Sequence, residues 1–272
     1  MGVYKRVFSK KNRALLIELV KTDFKLRYQG SAIGYLWSLL RPLLMFAILY
    51  VVFVVVFPLG KGIPYYPVYL FTGMIIWNFF TEMTQQSLGS IVGRGDLIRK
   101  IRIPRWMIVF STSLNALINL GLNLIVLVVF MVMNHVVPMG SLVFFPLILL
   151  EVYIFALGLS FFLSAVFVKY RDVLYIWEVV IQAGFYLTPI LYPLTQIKDV
   201  MYQKILLLNP LAQAIQDARY AVVTHDNNVI TIWRVFHHNT WYALIPFAVV
   251  IVVFIGGLAY FRNQQNSFAE NL

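Results

Sequence analysis

Asn115, Asn119 and Asn123 recur at i, i+4 and i+8 in a run that is otherwise apolar, with Thr112 on nearly the same face. On a helix this spacing sets three amides along one stripe, each with two donors and an acceptor oxygen. An amide left against lipid without a partner costs roughly 2–7 kcal/mol, so the stripe has to meet polar groups. Two readings satisfy it: hydrogen bonds between helices of one bundle, or a polar track for a hydroxyl-rich solute. A second stripe is aromatic, with Phe46, Tyr50, Phe53 and Phe57 at i, i+4, i+7 and i+11, and farther on Glu178 and Gln182 share a face with Phe185 or Tyr186. Aromatic faces stack on the apolar faces of sugar rings, and Tyr hydroxyls and Gln amides bond sugar hydroxyls. The same stripe also serves as helix packing or as an interfacial belt.

Other chemistry is excluded by what the chain lacks. No G-x-x-x-x-G-K-[S/T] phosphate loop occurs; Gly60, Lys61 and Gly62 fall in a loop with no strand before it, so the chain does not hydrolyse nucleotide by itself. The acids are scattered one per segment, which leaves neither a paired-carboxylate site nor a Ser/His/Asp constellation. Zero cysteines rule out disulfides, thiolate catalysis and Cys-ligated metal. His237 and His238 are adjacent and point apart on most backbones, with no third ligand in register, so no metal or other cofactor is expected in the chain.

The elements that carry these stripes belong to a membrane protein. With 61% hydrophobic residues, 12% charged and a mean hydropathy of +0.79, the chain cannot cover a soluble globule with charge. The expected fold is all-α integral membrane. It begins with an amphipathic helix: Leu16, Val20, Phe24 and Tyr28 form an apolar stripe, opposite Glu18, Lys21, Thr22, Lys25 and Gln29, the pattern of a helix in the headgroup plane. Gly30 and Gly34 break that pattern, and Tyr35 to Phe57 is almost wholly apolar before Pro58 and Gly60 end it. No cleavable signal precedes this span. Six apolar segments follow one another near 35–57, 65–88, 107–133, 142–168, 173–193 and 241–261. The fifth carries Glu178, Gln182, Thr188, Pro189 and Pro193, so its outer end is expected to bend or re-enter, with freed backbone groups shielded by protein. Residues 194–240 read as short external helices capping the bundle. Of the Lys and Arg residues, 17 fall on the side of the N-terminal 34 residues and the 93–106 loop, and five on the other: Lys61, Lys198, Lys204, Arg219 and Arg234. The positive-inside rule puts both termini in the cytoplasm. The net charge of +11 is therefore a topology signal, and nucleic acid is not an expected partner.

The loop from Gly93 to Arg105 sets Leu97, Ile98 and Ile101 as an apolar edge among Arg94, Arg99, Lys100, Arg102 and Arg105, closed by Pro104. It reads as a topogenic cluster on anionic headgroups or as a short helix that docks on a partner. Taken in order, several tracts are similar to one family. They are F-K-L-R-Y-Q-G-S at Phe24 to Ser31, the G-Y-L-W-S-L-L-R-P-L entry ending at Leu43, the tract Phe71 to Phe80, the basic loop ending I-P-R, and Lys169-Tyr170-Arg171-Asp172-Val173. End to end, the chain resembles the ABC-2 permeases that export cell-envelope polysaccharides: O-antigen, capsule, teichoic acid and rhamnose-rich wall glycans. The resemblance implies a bacterial cell-membrane protein with six spans. It also implies a second copy of the chain, two separate ATPase subunits that bind ATP and Mg, and a lipid-linked glycan as substrate. By the same resemblance, Phe24, Lys25, Arg27 and Tyr28 belong to a gate helix within 1–34, and Leu97, Ile98, Arg99, Ile101 and Arg102 to a coupling helix. The first and fifth spans then line an aromatic channel. An ABC-2 exporter of a drug or small lipid is the alternative; the basic gate helix and the Asn stripe argue against it.

Overall fold

The computed structural model describes residues 10–28, 34–57, 59–60, 62–100, 103–138, 140–225, 229–237 and 239–268. Its regular elements among these residues are all helical, as lipid demands of a backbone that has no water to bond. They are α1 (Lys10–Tyr28), α2 (Trp37–Tyr50, continued by a π-helical stretch Val51–Val56), α3 (Tyr66–Leu88), α4 (Gly95–Lys100), α5 (Trp106–Met133) and α6 (Phe145–Lys169). After these come α7 (Val173–Leu187), α8 (Val200–Leu207), α9 (Pro210–Val222), α10 (Ile232–Val235), α11 (Thr240–Ala243) and α12 (Ile245–Gln264). Four stretches are long and apolar enough to cross a bilayer: Trp37–Val56, Trp106–Met133, Gly140–Lys169 and Thr240–Ser267.

The expected second and fifth spans differ from these four. The second is α3, which matches them in length at 23 residues but carries Thr72, Thr81, Glu82, Thr84, Gln86 and Ser87. Its place in the bundle explains this composition. α3 packs against α2, α5, α6, α7 and α9, and most of its side chains are buried by protein, so it needs no lipid-matching surface. The fifth is α7, only 15 residues long, which leans on α3 and α6 with one face and leaves the other open.

α6 and α12 make the closest helix pair, and two glycines permit it. A Cβ on Gly158 would lie 2.5 Å from the Phe254 Cα, and one on Gly257 would overlap the Gly158 carbonyl. Small residues let backbones touch where the hydrophobic effect cannot drive helices together.

The end of α7 is built around a charge. Pro189 disfavours helical geometry at Thr188, which is extended with ψ 136°, and the chain then runs without regular helix to Pro193. The freed carbonyls meet Arg219 of α9, which is fully buried. Its guanidinium donates to the carbonyls of Pro189 (2.6 Å), Ile190 (2.6 Å) and Tyr69 (3.0 Å), and lies 3.7 Å from the Tyr69 ring centroid. The Tyr66 hydroxyl donates to the next carbonyl, Leu191, at 2.6 Å. Gly73 leaves the room for this, since a Cβ there would be 2.6 Å from an Arg219 nitrogen. The 194–240 region, expected as an external cap, is therefore of two kinds. Leu194, Leu207, Ile232, Phe236 and Ala243 form a small separate core joining α8, α10 and α11. α9 is instead almost wholly buried against α3 and α6, and Arg219, counted from sequence among the outer-loop cations, is a structural cation inside the fold.

Candidate functional site

The asparagine stripe of α5 is buried and faces the polar half of α3. Asn119 Nδ2 donates to Glu82, which also accepts from Gln86 Nε2 at 2.7 Å. Two turns toward the start of α5, Thr112 Oγ1 lies 3.1 Å from Ser87 Oγ. Asn123 Nδ2 turns back to the Asn119 carbonyl at 2.8 Å. On the same stretch of α3 the Met83 carbonyl accepts from Ser160 Oγ of α6 (3.3 Å) and Thr84 Oγ1 accepts from Trp177 Nε1 of α7 (3.2 Å). Thus the amide donors of Asn119 and Asn123 are used within one subunit, in the manner of helix-to-helix bonding, while the Oδ1 atoms of Asn115, Asn119 and Asn123 have no protein partner. Sequence spacing located the stripe; it did not reveal Glu82 as its partner.

The stripe runs on to the amphipathic helix. α1 packs along α5 with Leu19 buried, and Asp23 is the polar residue it presents there. Arg94 Nη2 bonds the Asp23 carboxylate, and Arg94 Nη1 donates to Ser111 Oγ at 3.1 Å. Ser111 Oγ and Asn115 Nδ2 lie 3.4 and 3.5 Å from the second Asp23 oxygen. Arg94 sits one residue before α4, the helix that begins the segment expected to couple. An ion pair therefore ties the base of α4 to α1. Neither Asp23 nor Arg94 was singled out from sequence, because they stand 71 residues apart with α2 and α3 between them and their pairing depends on how α1 lies on α5. Of the residues expected in the gate helix, Lys25 is exposed, and the side chains of Phe24, Arg27 and Tyr28 lie outside the described residues. Of those expected to couple, Leu97 is half-buried, Ile98 packs against the main core and Arg99 is exposed; Ile101 and Arg102 lie outside the described residues.

The two aromatic stripes each divide. Phe46 is 5% exposed and sits between Phe71 (4.9 Å) and Phe130 (5.1 Å), inside the subunit's own core. Tyr50, still on the α-helix, is half-buried; the π-helical stretch from Val51 then alters the register, with Phe53 half-buried and Phe57 62% exposed. On α7, Phe185 turns inward against Trp77 at 6.0 Å, while Gln182 and Tyr186 face outward with Glu178. α2 and α7 flank α3, and their outer ends are joined where Gln196 Nε2 donates to the Leu59 carbonyl at 3.0 Å. The open aromatic and polar side chains thus belong to two helices that stand on α3.

The arrangement has relatives. The sequence profile of the family described as ABC-2 type transporter matches residues 14–223. An O-antigen export system permease protein from Myxococcus xanthus is 30% identical over 261 residues, covering 96% of each chain. Two proteins of the same description from Klebsiella pneumoniae are 32% and 30% identical, each covering 95% of both chains. The helical bundle with its several membrane-crossing stretches, the family match over most of the chain and the near full-length similarity to permeases together place it: the chain belongs to the ABC-2 type transporter family, as a multi-pass membrane subunit.

Proposed function

We propose that the chain is the permease subunit of an ATP-driven exporter that moves a lipid-linked polysaccharide or polyol-phosphate polymer from the cytoplasm to the outer face of the bacterial cell membrane. The relatives' description as O-antigen export permeases supports the substrate class. In this reading the chain crosses the membrane six times, with α3 and α7 as the second and fifth spans and both termini cytoplasmic, and works as a pair of identical copies with two ABC ATPase subunits. Those subunits bind ATP and Mg. A drug or small-lipid exporter is not favoured, because none of the three relatives is described so.

One observation carries the path. Glu178 and Gln182 are exposed at i and i+4 on α7, among Tyr175, Ile176 and Val179, which are each more than 60% exposed. A carboxylate and an amide at that depth are expensive against lipid, so this face meets another protein or an aqueous passage. Pairing two copies through α2 and α7 encloses a passage bordered by Tyr50, Phe53, Phe57, Gln182 and Tyr186, and two copies can surround a polymer that one bundle cannot. Rings without fixed donor geometry let successive sugars slide, where fixed charges would hold them too tightly to release. Phe46, Phe185 and the asparagine stripe support that wall from inside the subunit. At the other end, ATP binding in the partner moves α4, and the Asp23–Arg94 pair passes the motion to α1 as a two-state gate.

Replacing Glu178 and Gln182 with Leu tests the path directly. A lipid-facing surface gains from both changes, so inserted protein and export hold or rise; a passage wall loses transport while the protein stays folded. The measurement is surface glycan per inserted permease beside thermal stability of the purified complex, and undiminished export removes the path from this face.

A further inference from the structure

Away from α2 and α7, a cavity of about 950 Å³ lies between the first turns of α6, the first turns of α12 and α9. Its walls are apolar, with Phe144, Leu147, Phe247 and Ile251 among them, and Phe144, Leu147 and Ile251 are themselves more than half exposed, on stretches long and apolar enough to cross a bilayer. Against these walls stand three oxygens with no protein partner: Glu151 Oε1, Asp217 Oδ1 and Gln213 Oε1. Gln213 is fully buried; its amide nitrogen donates to Asp217 Oδ2 at 2.6 Å, and its acceptor oxygen is left without a protein partner beside the cavity. Burial pushes the Asp217 carboxyl up to about 6, against the opposing pull of that hydrogen bond. Among the described residues no Lys or Arg pairs with either carboxyl. Arg234, at the rim, donates to the carbonyls of Val229 and His225 and stands over the Tyr220 ring.

Three acceptors and two acids in an apolar cavity call for a ligand that brings donors and positive charge on an apolar body. A hydroxyl offers one donor and no charge, and a quaternary ammonium offers charge and no donor. A primary ammonium offers both, with three N–H groups. We propose that this cavity binds an amphiphile headed by a primary ammonium, its chain against Phe144, Leu147, Phe247 and Ile251 and its N–H groups on Glu151, Asp217 and Gln213. The exposed wall on these stretches makes the membrane the route of entry. The site is separate from the proposed export path and does not depend on it.

The test uses the full-length protein in phosphatidylcholine nanodiscs, whose headgroup lacks N–H donors, titrated with dodecylamine, dodecanol and dodecyltrimethylammonium and followed by calorimetry. Dodecylamine binds saturably and about tenfold or more tighter than either control, since a charge-assisted hydrogen bond contributes about that factor. Glu151→Gln and Asp217→Asn each weaken the amine about tenfold, while their unfolding midpoints without ligand stay level or rise, which separates lost binding from lost folding. Nanodiscs containing phosphatidylethanolamine distinguish the source of the amine. Lipid that co-purifies and is displaced by dodecylamine makes the ligand a lipid headgroup, and dodecylamine binding undisturbed by that lipid makes it a free amphiphile. Equal binding of dodecanol, or amine binding that survives both substitutions, overturns the proposal and leaves an apolar void.

Discussion

Arg219 and Gly73 offer the sharpest test of how the fold is held. Truncating Arg219 to Ala strands the carbonyls of Pro189 and Ile190, which lie in a non-helical segment and have lost their helix donors. Each unsatisfied buried group costs about 1–3 kcal/mol, and the stack on Tyr69 adds about 1–2 kcal/mol. Relief of the desolvation of a buried guanidinium offsets part of this, leaving a net loss of about 3 kcal/mol. Gly73→Ala acts on the same contact from the other side. Its Cβ would stand 2.6 Å from the guanidinium and an ordinary 3.4 Å from Ile215, so the charge alone has to move, at about 1–3 kcal/mol for overpacking. Once Arg219 is Ala that obstacle is gone, and Ala in a helix is favoured over Gly by about 1 kcal/mol. The second substitution then becomes neutral or stabilising, giving a coupling energy of about 2 kcal/mol in a double-mutant cycle. The assay is reversible unfolding of the four proteins in mixed micelles. If Gly73→Ala costs the same in both backgrounds, the guanidinium does not occupy the space beside Gly73 and the account of the α7 end fails.

Three further outcomes follow from the geometry. Asp23→Arg and Arg94→Asp each uncouple ATP hydrolysis from export, and the charge-swapped double variant recovers coupling; because both side chains are partly exposed, at 21% and 17%, the stability change stays near 1 kcal/mol. A swap that leaves both defects in place would show that the pair transmits nothing. Gly257→Leu drives the α6 and α12 backbones apart and lowers the thermal midpoint more than Gly256→Leu, whose Cβ meets open space, so equal shifts would count against the close crossing. Leu97→Asp abolishes co-purification with the ATPase while the exposed Arg99→Ala changes it little; retention of the partner by both variants would return α4 to a topogenic role.

Helical class and membrane character were legible in sequence because both follow from local quantities, the run length and polarity of each segment. The need for partners along Asn115, Asn119 and Asn123 was legible for the same reason, since the cost of an amide in lipid does not depend on its neighbours. The partners were not. Glu82 and Asp23 come from other helices, and no spacing along α5 says which helix will lie on it. The aromatic stripe misled differently. Its i, i+4, i+7, i+11 spacing assumes an unbroken α-helix, and the β-branched run around Phe53 instead winds as a π-helix, which separates the buried Phe46 from the exposed Phe57.

Arg219 was the costliest misreading, and its cause points to a rule that sequence could supply. A hydropathy count treats every cation near a loop as facing water, which is sound when the backbone beside it is helical and self-satisfied. Pro189 removes that condition. A proline that breaks a span in the membrane frees carbonyls that water cannot reach, and the chain must bring donors to them from elsewhere. Arginine, with five N–H groups in a planar fork, is the side chain best able to hold two successive carbonyls at once. Within α9 the residues Leu211, Ala212, Ala214, Ile215 and Ala218 are apolar enough to be drawn inside, and Arg219 is the cation they carry with them. An apolar helix ended by proline and followed by a mostly apolar helix with a single Arg therefore argues for a buried guanidinium on the broken backbone, and the Tyr66 hydroxyl on Leu191 extends the same donor supply by one residue.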